Sequence, residues 1–287
     1  MNTTPSMLTI PYFFTEHQLH DPCSFSKSPL KPGLLARRLK EDPKFVQTGT
    51  RMIQAIEPSR LKQVHSTRYI DGLMDGTLPD GFGNKSNKDF QAIRTTVGNF
   101  VVAAEWALTQ KKPGVTWSLT SGFHHACHDN GGGFCTIDAL SLSAFELQKF
   151  HRARTLIVDG DYHFGNGVVD NIEKNQMGTY CAYLQYFNAA KYRAVLEKAI
   201  AKHNPTIIFY QAGADAWVGD PLGGALTMQE LYQRDLDTFD VAKRHGIPVV
   251  CNLAGGYADN YEDTLRIHMN TGEAMKEVYL GYGIAAC

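Results

Sequence analysis

The chain has 287 residues, 43% of them apolar and 20% charged, with a formal net charge of −1. These values are ordinary for a globular protein, and the length suits one large α/β domain or two small ones. The near-zero charge, without a long basic or acidic run, predicts neither nucleic acid nor a membrane surface as a partner. We also expect no membrane span and no signal peptide, since residues 1–5 lack a basic start and an apolar core.

Cysteine usage bears on the compartment of the protein. The six cysteines are scattered without a C-x-x-C motif: Cys23, Cys127, Cys135, Cys181, Cys251 and Cys287. Such scatter in a long chain indicates reduced thiols and not a disulfide framework. We therefore expect a cytoplasmic protein, and the sequence leaves its oligomeric state open.

Short apolar runs without clean alternation predict buried parallel strands. In chain order, these runs cover residues 115–119, 155–158, 180–184, 206–210 and 248–252. Helical patterns lie between them at residues 139–150, 190–203 and 227–245, the last with Thr227 as N-cap and Glu230 completing a capping box. Strand and helix alternate, and no linker rich in Pro, Gly or Ser divides the chain. The pattern predicts a single α/β domain over residues 1–287, a parallel β-sheet flanked by helices on both faces.

Polar side chains follow four of the predicted strands where each strand ends. In chain order these side chains are His124 and His125, then Asp159, Asp161 and His163, then Asp215, then Tyr257. In open α/β sheets, ligands bind at the carboxyl ends of the strands. Four polar strand ends therefore predict one shared site.

The Asp-x-His spacing at the second of these strand ends predicts metal ligands. Asp161 and His163 are two residues apart, so their side chains point the same way in extended backbone. Asp215 can supply a third ligand, which leaves positions for water and substrate as in a catalytic zinc site. By itself the spacing is more typical of a capped loop with a surface histidine, but the neighbouring strand ends favour a metal.

The same cluster contains candidates for acid–base chemistry. His124 and His125 can both line a pocket if the nearby glycines let the backbone turn. A histidine can take a proton from attacking water near neutral pH, and needs a partner on its second nitrogen. Asp159 and Asn166 are the candidate partners. Tyr257 follows two glycines and can offer its hydroxyl to an oxyanion, although a core tyrosine in a turn is the simpler interpretation of that motif alone.

Together, the segments that carry these residues form a recognisable set. They are GFHHACHDNGGGFC at 122–135, DGDYHFGNG at 159–167, AGADAWVGDPLGG at 212–224 and AGGY at 254–257. In this order they resemble the zinc-dependent histone deacetylase superfamily, which includes acetylpolyamine amidohydrolases. The glycine triplet at 131–133, GNG at 165–167, GDPLGG at 219–224 and RTTVGNFVVAAEWAL at 94–108 resemble class IV histone deacetylases most. The resemblance implies the arginase/deacetylase fold.

The resemblance also implies a role for each matched residue in metal-assisted amide hydrolysis. The implied metal ligands are Asp161, His163 and Asp215, holding Zn²⁺, with Fe²⁺ suited to the same set. The implied catalytic group consists of His125 as general base and then acid, His124 as its electrostatic companion, Asp159 orienting His124, Asn166 orienting His125, and Tyr257 stabilising the oxyanion. The implied channel for the acyl-lysine stem is lined by Phe134, Gly133 and Gly255.

The chain departs from the family pattern after the strand at 180–184. Family members have a long loop there that forms a second channel wall, whereas this chain runs almost directly into the next helix. We expect Phe187, Tyr186 or a second subunit to replace that wall, or a wider mouth that admits a bulkier substrate. The family's rim aspartate has no secure counterpart, and Asp80 is more typical of a plain loop aspartate.

A second departure concerns a monovalent cation, K⁺, that many members hold beneath the zinc. That site uses Asp159 and the backbone around Asp161 and His163, which this chain retains. It also uses a Ser or Asp side chain from the next strand, where this chain has Tyr183. The sequence therefore leaves K⁺ binding open.

The leading functional prediction is hydrolysis of acyl-lysine in a protein or peptide. The nearest alternative is an amidohydrolase for small acylated amines such as acetylpolyamines, although no added loop is evident. An arginase-type enzyme would need a second metal, and the position two residues after His163 is Gly165 instead of Asp. A binding module that has lost catalysis is the remaining alternative, and the full set of site residues argues against it.

Overall fold

The computed structural model describes residues 8–112 and 114–282. The signal-peptide expectation at residues 1–5 and the thiol of Cys287 lie outside these residues. The strands are β1 (Ile10–Phe13), β2 (Phe45–Gln47), β3 (Val115–Ser118), β4 (Thr155–Asp159), β5 (Cys181–Gln185), β6 (Ile207–Gln211) and β7 (Val249–Asn252). The helices are α1 (Lys31–Leu39), α2 (Pro58–Leu61), α3 (Thr67–Met74), α4 (Phe90–Thr109), α5 (Ala139–His151), α6 (Asn166–Lys174), α7 (Ala189–His203), α8 (Met228–Arg244) and α9 (Tyr261–Leu280), with a 3₁₀ turn at Glu16–Gln18.

Within the described residues the strands form one parallel sheet in the order β2-β1-β3-β7-β6-β4-β5. All five predicted strands are present, although β5 and β6 begin and end one residue later than predicted. The strands β1 and β2 were not predicted because runs of four and three residues carry too little pattern. The predicted α/β class and the arginase/deacetylase-type fold are confirmed.

Alternate residues of the central strands pack on opposite faces of the sheet. Ile157 and Phe209 belong to one apolar core, together with residues of α4 and α5. Their neighbours Leu156 and Ile208 belong to a second core, together with residues of α8 and α9. Because both faces are covered, each strand is apolar throughout, which is why these strands read as continuous apolar runs. Within residues 8–112 and 114–282, no helix is long and apolar enough to cross a membrane.

The predicted capping box at the start of α8 is confirmed. Thr227 Oγ1 accepts the Glu230 N–H at 3.2 Å, and Glu230 Oε2 accepts the Thr227 N–H at 2.8 Å. At the start of α7, Asn188 Oδ1 accepts the Lys191 N–H at 3.2 Å. Residues 186–188 alone separate β5 from α7, so the long family loop is absent here, as predicted.

The cysteine thiols of the described residues are free. Cys135, Cys181 and Cys251 are buried, Cys127 is half-buried, and Cys23 is exposed. Burial raises the pKa of the Cys135 and Cys181 thiols, so these side chains act as small apolar groups.

Candidate active site

The four polar strand ends lie side by side at one edge of the sheet. They follow β3, β7, β6 and β4, which are consecutive neighbours in the strand order. Parallel strands place all their carboxyl ends at the same edge, so the loops after them meet. The structure therefore brings together the residues that the sequence predicted to share a site.

Three candidate metal ligands converge at the centre of this edge. His163 Nδ1 lies 2.9 Å from Asp215 Oδ2 and 3.2 Å from Asp161 Oδ1, and the ligand atoms all lie within 4.8 Å of one another. Backbone N–H groups hold the other carboxylate oxygens: Gly255 donates to Asp161 Oδ2 at 2.7 Å, and Tyr162 donates to Asp215 Oδ1 at 3.1 Å. These bonds orient the carboxylates and leave one oxygen of each facing the imidazole.

The electrostatics of this triad favour a bound cation. Asp161 and Asp215 are 2% and 0% exposed, and burial together with the Asp161 charge raises the pKa of Asp215. Hydrogen bonds to both carboxylates raise the pKa of His163 to about 10. Two carboxylates this close and this buried need a compensating positive charge. Two carboxylates and one imidazole form a donor set that fits zinc or ferrous iron.

Beside the triad, the two adjacent histidines have different partners. His124 Nδ1 lies 2.8 Å from Asp159 Oδ2, whereas His125 Nδ1 lies 2.6 Å from Asn166 Oδ1. Burial disfavours the charged form of His124, yet the Asp161 and Asp159 carboxylates raise its pKa to about 9. Burial and the nearby His124 lower the pKa of His125. At neutral pH, His125 is therefore the ring that is free to accept a proton.

Tyr257 reaches the site through the sharp turn that follows β7. Gly256 has φ +143°, a conformation that favours glycine, and Asp220 Oδ2 accepts the Tyr257 N–H at 2.6 Å. The Tyr257 ring centroid lies 5.6 Å from that of Phe134 and 6.5 Å from that of His163. Burial raises the pKa of the Tyr257 hydroxyl, so it stays protonated and can donate a hydrogen bond.

Two buried cations hold the loops that carry the ligand candidates and Tyr257, and neither was predicted from the sequence. Arg234 Nη1 donates to Gly160 O at 2.7 Å and to Gly213 O at 3.2 Å. Lys31 Nζ lies 2.6 Å from Ala254 O and 3.0 Å from Gly255 O, and burial lowers its pKa to about 8. The sequence did contain a signal for Arg234, because its spacing from Leu231 and Thr238 places it on the buried face of the predicted helix α8.

Aromatic rings surround the mouth on the Phe134 side. Phe134 has φ +64°. The centroid of its ring lies 5.3 Å from that of Phe25, 5.7 Å from that of Phe82 and 5.6 Å from that of Tyr257. The neighbouring Gly133 has φ +52°, and a Cβ there would lie 2.4 Å from His125 Cδ2. Gly133 and Phe134, two of the three predicted channel residues, therefore lie against the catalytic candidates.

The other side of the mouth lacks a long loop. Phe187 contacts Tyr162 with ring centroids 5.8 Å apart, so it lies beside the ligand loop, whereas Tyr186 packs on a core of the sheet. Of the two residues that were predicted, beside a second subunit, to replace the missing wall, Phe187 alone lies beside the ligand loop. Asp80 is buried, and its Oδ1 accepts the N–H groups of Phe82 and Asn84 at 2.9 Å. These bonds close its own loop, as expected for the plain loop aspartate that the sequence favours.

Gly255 offers a direct test of the triad. A Cβ at this position would lie 2.6 Å from both Asp161 Oδ2 and Asp215 Oδ2, closer than any real contact. We expect Gly255→Ala to displace the carboxylates and weaken zinc binding by roughly 10–100-fold, measured by competition with a chelator of known affinity. Gly178→Ala is the control, since a Cβ there meets nothing within 4 Å. Equal zinc affinity in the two variants would contradict the assignment of the triad as the metal site.

Comparison with known proteins agrees with this geometry. The histone deacetylase domain family matches residues 27–192 and 181–271. An uncharacterized protein of Picosynechococcus sp. is 29% identical over 76% of this chain and 82% of its own length. Histone deacetylase 2 of Arabidopsis thaliana is 27% identical over 72% of this chain, and acetoin utilization protein AcuC of Bacillus subtilis is 26% identical over 56%.

These matches differ in how much of each relative they cover. The chain spans 63% of the Arabidopsis protein and 54% of the Bacillus protein. Within this chain, the matched residues include every metal-ligand and catalytic candidate, from His124 to Tyr257. The chain belongs to the histone deacetylase family.

Proposed function

We propose that this protein hydrolyses N-acyl amides, with acyl-lysine in a protein or peptide as the substrate and zinc as the metal. Membership of the histone deacetylase family supports a deacetylase, which is a hydrolase. The observation that carries the proposal is the convergence of Asp161, His163 and Asp215 beside the His125–Asn166 pair. The closer resemblance to class IV members remains a prediction from the motifs.

The metal would be held by Asp161, His163 and Asp215. When bound, it polarises the acyl carbonyl and lowers the pKa of a water molecule. Gly255 and Tyr162 keep the two carboxylates in place through their backbone N–H groups. Arg234 fixes the backbone that precedes Asp161, because its guanidinium bonds Gly160 O.

His125 is the proposed general base and then acid. Asn166 Oδ1 accepts a hydrogen bond from His125 Nδ1, which leaves Nε2 as the basic nitrogen. Nε2 takes a proton from the attacking water and later delivers it to the leaving amine. His124, paired with Asp159 and positively charged, stabilises the negative charge that develops on the acyl oxygen.

Tyr257 is the proposed oxyanion donor. Its raised pKa keeps the hydroxyl protonated, and the two glycines before it bring the ring to the edge of the triad. Phe134 and Gly133 form the wall along which the apolar stem of the substrate would lie. The three-residue connection between β5 and α7 leaves the opposite side without a long loop, which favours a bulkier acyl group. Small acylated amines are the second candidate substrate, although no added loop is evident that would enclose them.

The test is amine release by the zinc-loaded protein from a panel of substrates. The panel contains fluorogenic lysine peptides with acyl groups from acetyl to long-chain, and acetylated putrescine and spermidine. We expect release from the peptides, and a fall in kcat of roughly 10²–10³-fold in Tyr257→Phe because one oxyanion donor is lost. Tyr261→Phe, which removes a hydroxyl bonded to Lys27 O at 3.3 Å, is the control and should keep its activity.

Each outcome has a clear meaning. Release confined to the acetylated polyamines would replace the acyl-lysine proposal with the second candidate. Release that is equal in the wild type and in Tyr257→Phe would contradict the role of Tyr257. No release from any substrate, with one zinc bound per chain, would contradict the proposed hydrolysis.

A further inference from the structure

A half-buried side-chain amide contacts the ligand loop, which carries Asp161 and His163. Gln185 Nε2 lies 2.8 Å from Asp161 O and 2.8 Å from His163 O. Gln185 is the last residue of β5, and it pairs in register with Asp159 at the end of β4. One side chain from the edge strand therefore bridges the backbone of two candidate metal ligands.

The orientation of this amide follows from its partners. Both partners are carbonyl oxygens, which accept hydrogen bonds and cannot donate them. The side-chain nitrogen must face them, because the amide oxygen would meet two acceptors. Gln185 thus presents two N–H donors where the family pattern has a monovalent cation bound to the same carbonyl groups.

The Asp159 carboxylate, which the family's cation site also uses, is likewise satisfied by donors from the protein. Asp159 Oδ2 accepts the Tyr183 hydroxyl at 2.9 Å and faces His124 Nδ1 at 2.8 Å, while Asp159 Oδ1 accepts the Asp161 N–H at 3.0 Å. The Tyr183 hydroxyl also accepts the Gly165 N–H at 2.8 Å. Where the family has an Asp or Ser side chain that binds the cation, this chain has Tyr183, whose hydroxyl already makes two hydrogen bonds.

These residues do not fit a K⁺ site. An ion in contact with Asp161 O and His163 O would compete with the Gln185 nitrogen for both carbonyl groups. We propose that the Gln185 amide replaces the monovalent cation, so that this chain orients its ligand loop without K⁺. Gln185 is therefore a positioning residue: it acts through the backbone of Asp161 and His163.

The test compares melting temperatures of the zinc-loaded protein in KCl and in choline chloride at equal concentration. The wild type should melt at the same temperature in both salts. Gln185→Ala should melt roughly 2–6 °C lower in choline, because the two carbonyl groups lose their donors, and K⁺ should restore at least half of that loss. The matched control is Gln47→Ala on β2. It removes a side-chain amide that donates to Phe14 O at 2.9 Å, and its melting temperature should not depend on K⁺.

A second variant keeps the test decisive if Gln185→Ala does not fold in choline. Gln185→Glu places a carboxylate against the same two carbonyl groups, so its melting temperature should rise with K⁺ by more than that of Gln185→Ala. A wild-type protein stabilised by K⁺ relative to choline would overturn the proposal. So would variants at position 185 that melt equally in both salts. Since the readout is stability, it does not depend on which substrate the enzyme hydrolyses.

Discussion

Replacing His125 with alanine is expected to lower kcat for amide hydrolysis by roughly 10²–10⁴-fold, because the reaction loses its general base and acid. Burial and His124 lower the pKa of His125, so the ring is neutral at pH 7 and can accept a proton. His125 is not one of the three converging ligands, so zinc content should stay at one per chain. The measurements are steady-state kinetics and metal analysis of the same preparation.

Two further variants separate loss of the base from general damage. His151→Ala removes an exposed histidine at the end of α5, whose Nε2 lies 3.4 Å from Glu105 Oε1. This variant should leave kcat unchanged. Asn166→Asp places a carboxylate on His125 Nδ1, which raises the pKa of the imidazole. Since the base must be neutral, the acidic limb of kcat/KM should move to higher pH. An unmoved limb would contradict the role of His125 as the base.

Asp215→Asn is expected to have the second large effect, and it acts in opposite directions on activity and stability. Loss of a ligand carboxylate should reduce bound zinc to well below one per chain and lower kcat/KM by roughly 10³-fold or more. Without zinc, the variant should be more stable than the wild type at pH 7 by about 1–3 kcal/mol. Burial and Asp161 raise the pKa of the Asp215 carboxyl, and a carboxyl with a raised pKa destabilises the fold above its ordinary pKa. The Asp161 carboxylate then has an amide neighbour that can donate a hydrogen bond.

Metal analysis and urea unfolding with a chelator check both parts of this expectation. Asp170→Asn is the control, since Asp170 accepts the His128 N–H at 2.8 Å outside the triad, and it should keep its zinc and its activity. Full zinc content in Asp215→Asn would remove Asp215 from the ligand set. A chelated variant less stable than the chelated wild type would show that the two carboxylates do not repel each other in the fold.

Much of the sheet could be predicted because its signals are local. The strands β3 to β7 are apolar on both faces, so each reads as a short continuous apolar run, and Thr227 with Glu230 marks the start of α8 within four residues. The strands β1 and β2 escaped prediction for the opposite reason. They are too short to show a pattern, and their place at one side of the sheet depends on the pairing of β1 with β3 and of β2 with β1.

The proposed loss of the K⁺ site depends on a residue that local sequence patterns did not single out. The sequence pointed to Tyr183 as the position that decides the cation site, and the Tyr183 hydroxyl does bond Asp159. The deciding side chain is two residues further along, where Gln185 takes both carbonyl groups. Strand register sets which side chain of β5 faces the ligand loop, and register is a property of the pair of strands.

The candidate residues of the site could be named from short motifs alone. The residues able to bind a metal, move a proton and hold an oxyanion lie in short motifs at strand ends, and parallel strands bring such ends together. What holds those motifs in place depends on contacts between parts of the chain that are far apart in sequence. Lys31 is 223 residues from Ala254 and Arg234 is 74 residues from Gly160, yet each bonds a carbonyl group beneath the site. A buried carbonyl group needs a hydrogen-bond donor. Which carbonyl groups are buried without a backbone donor depends on how distant parts of the chain pack together, so the sequence does not show where such donors are needed.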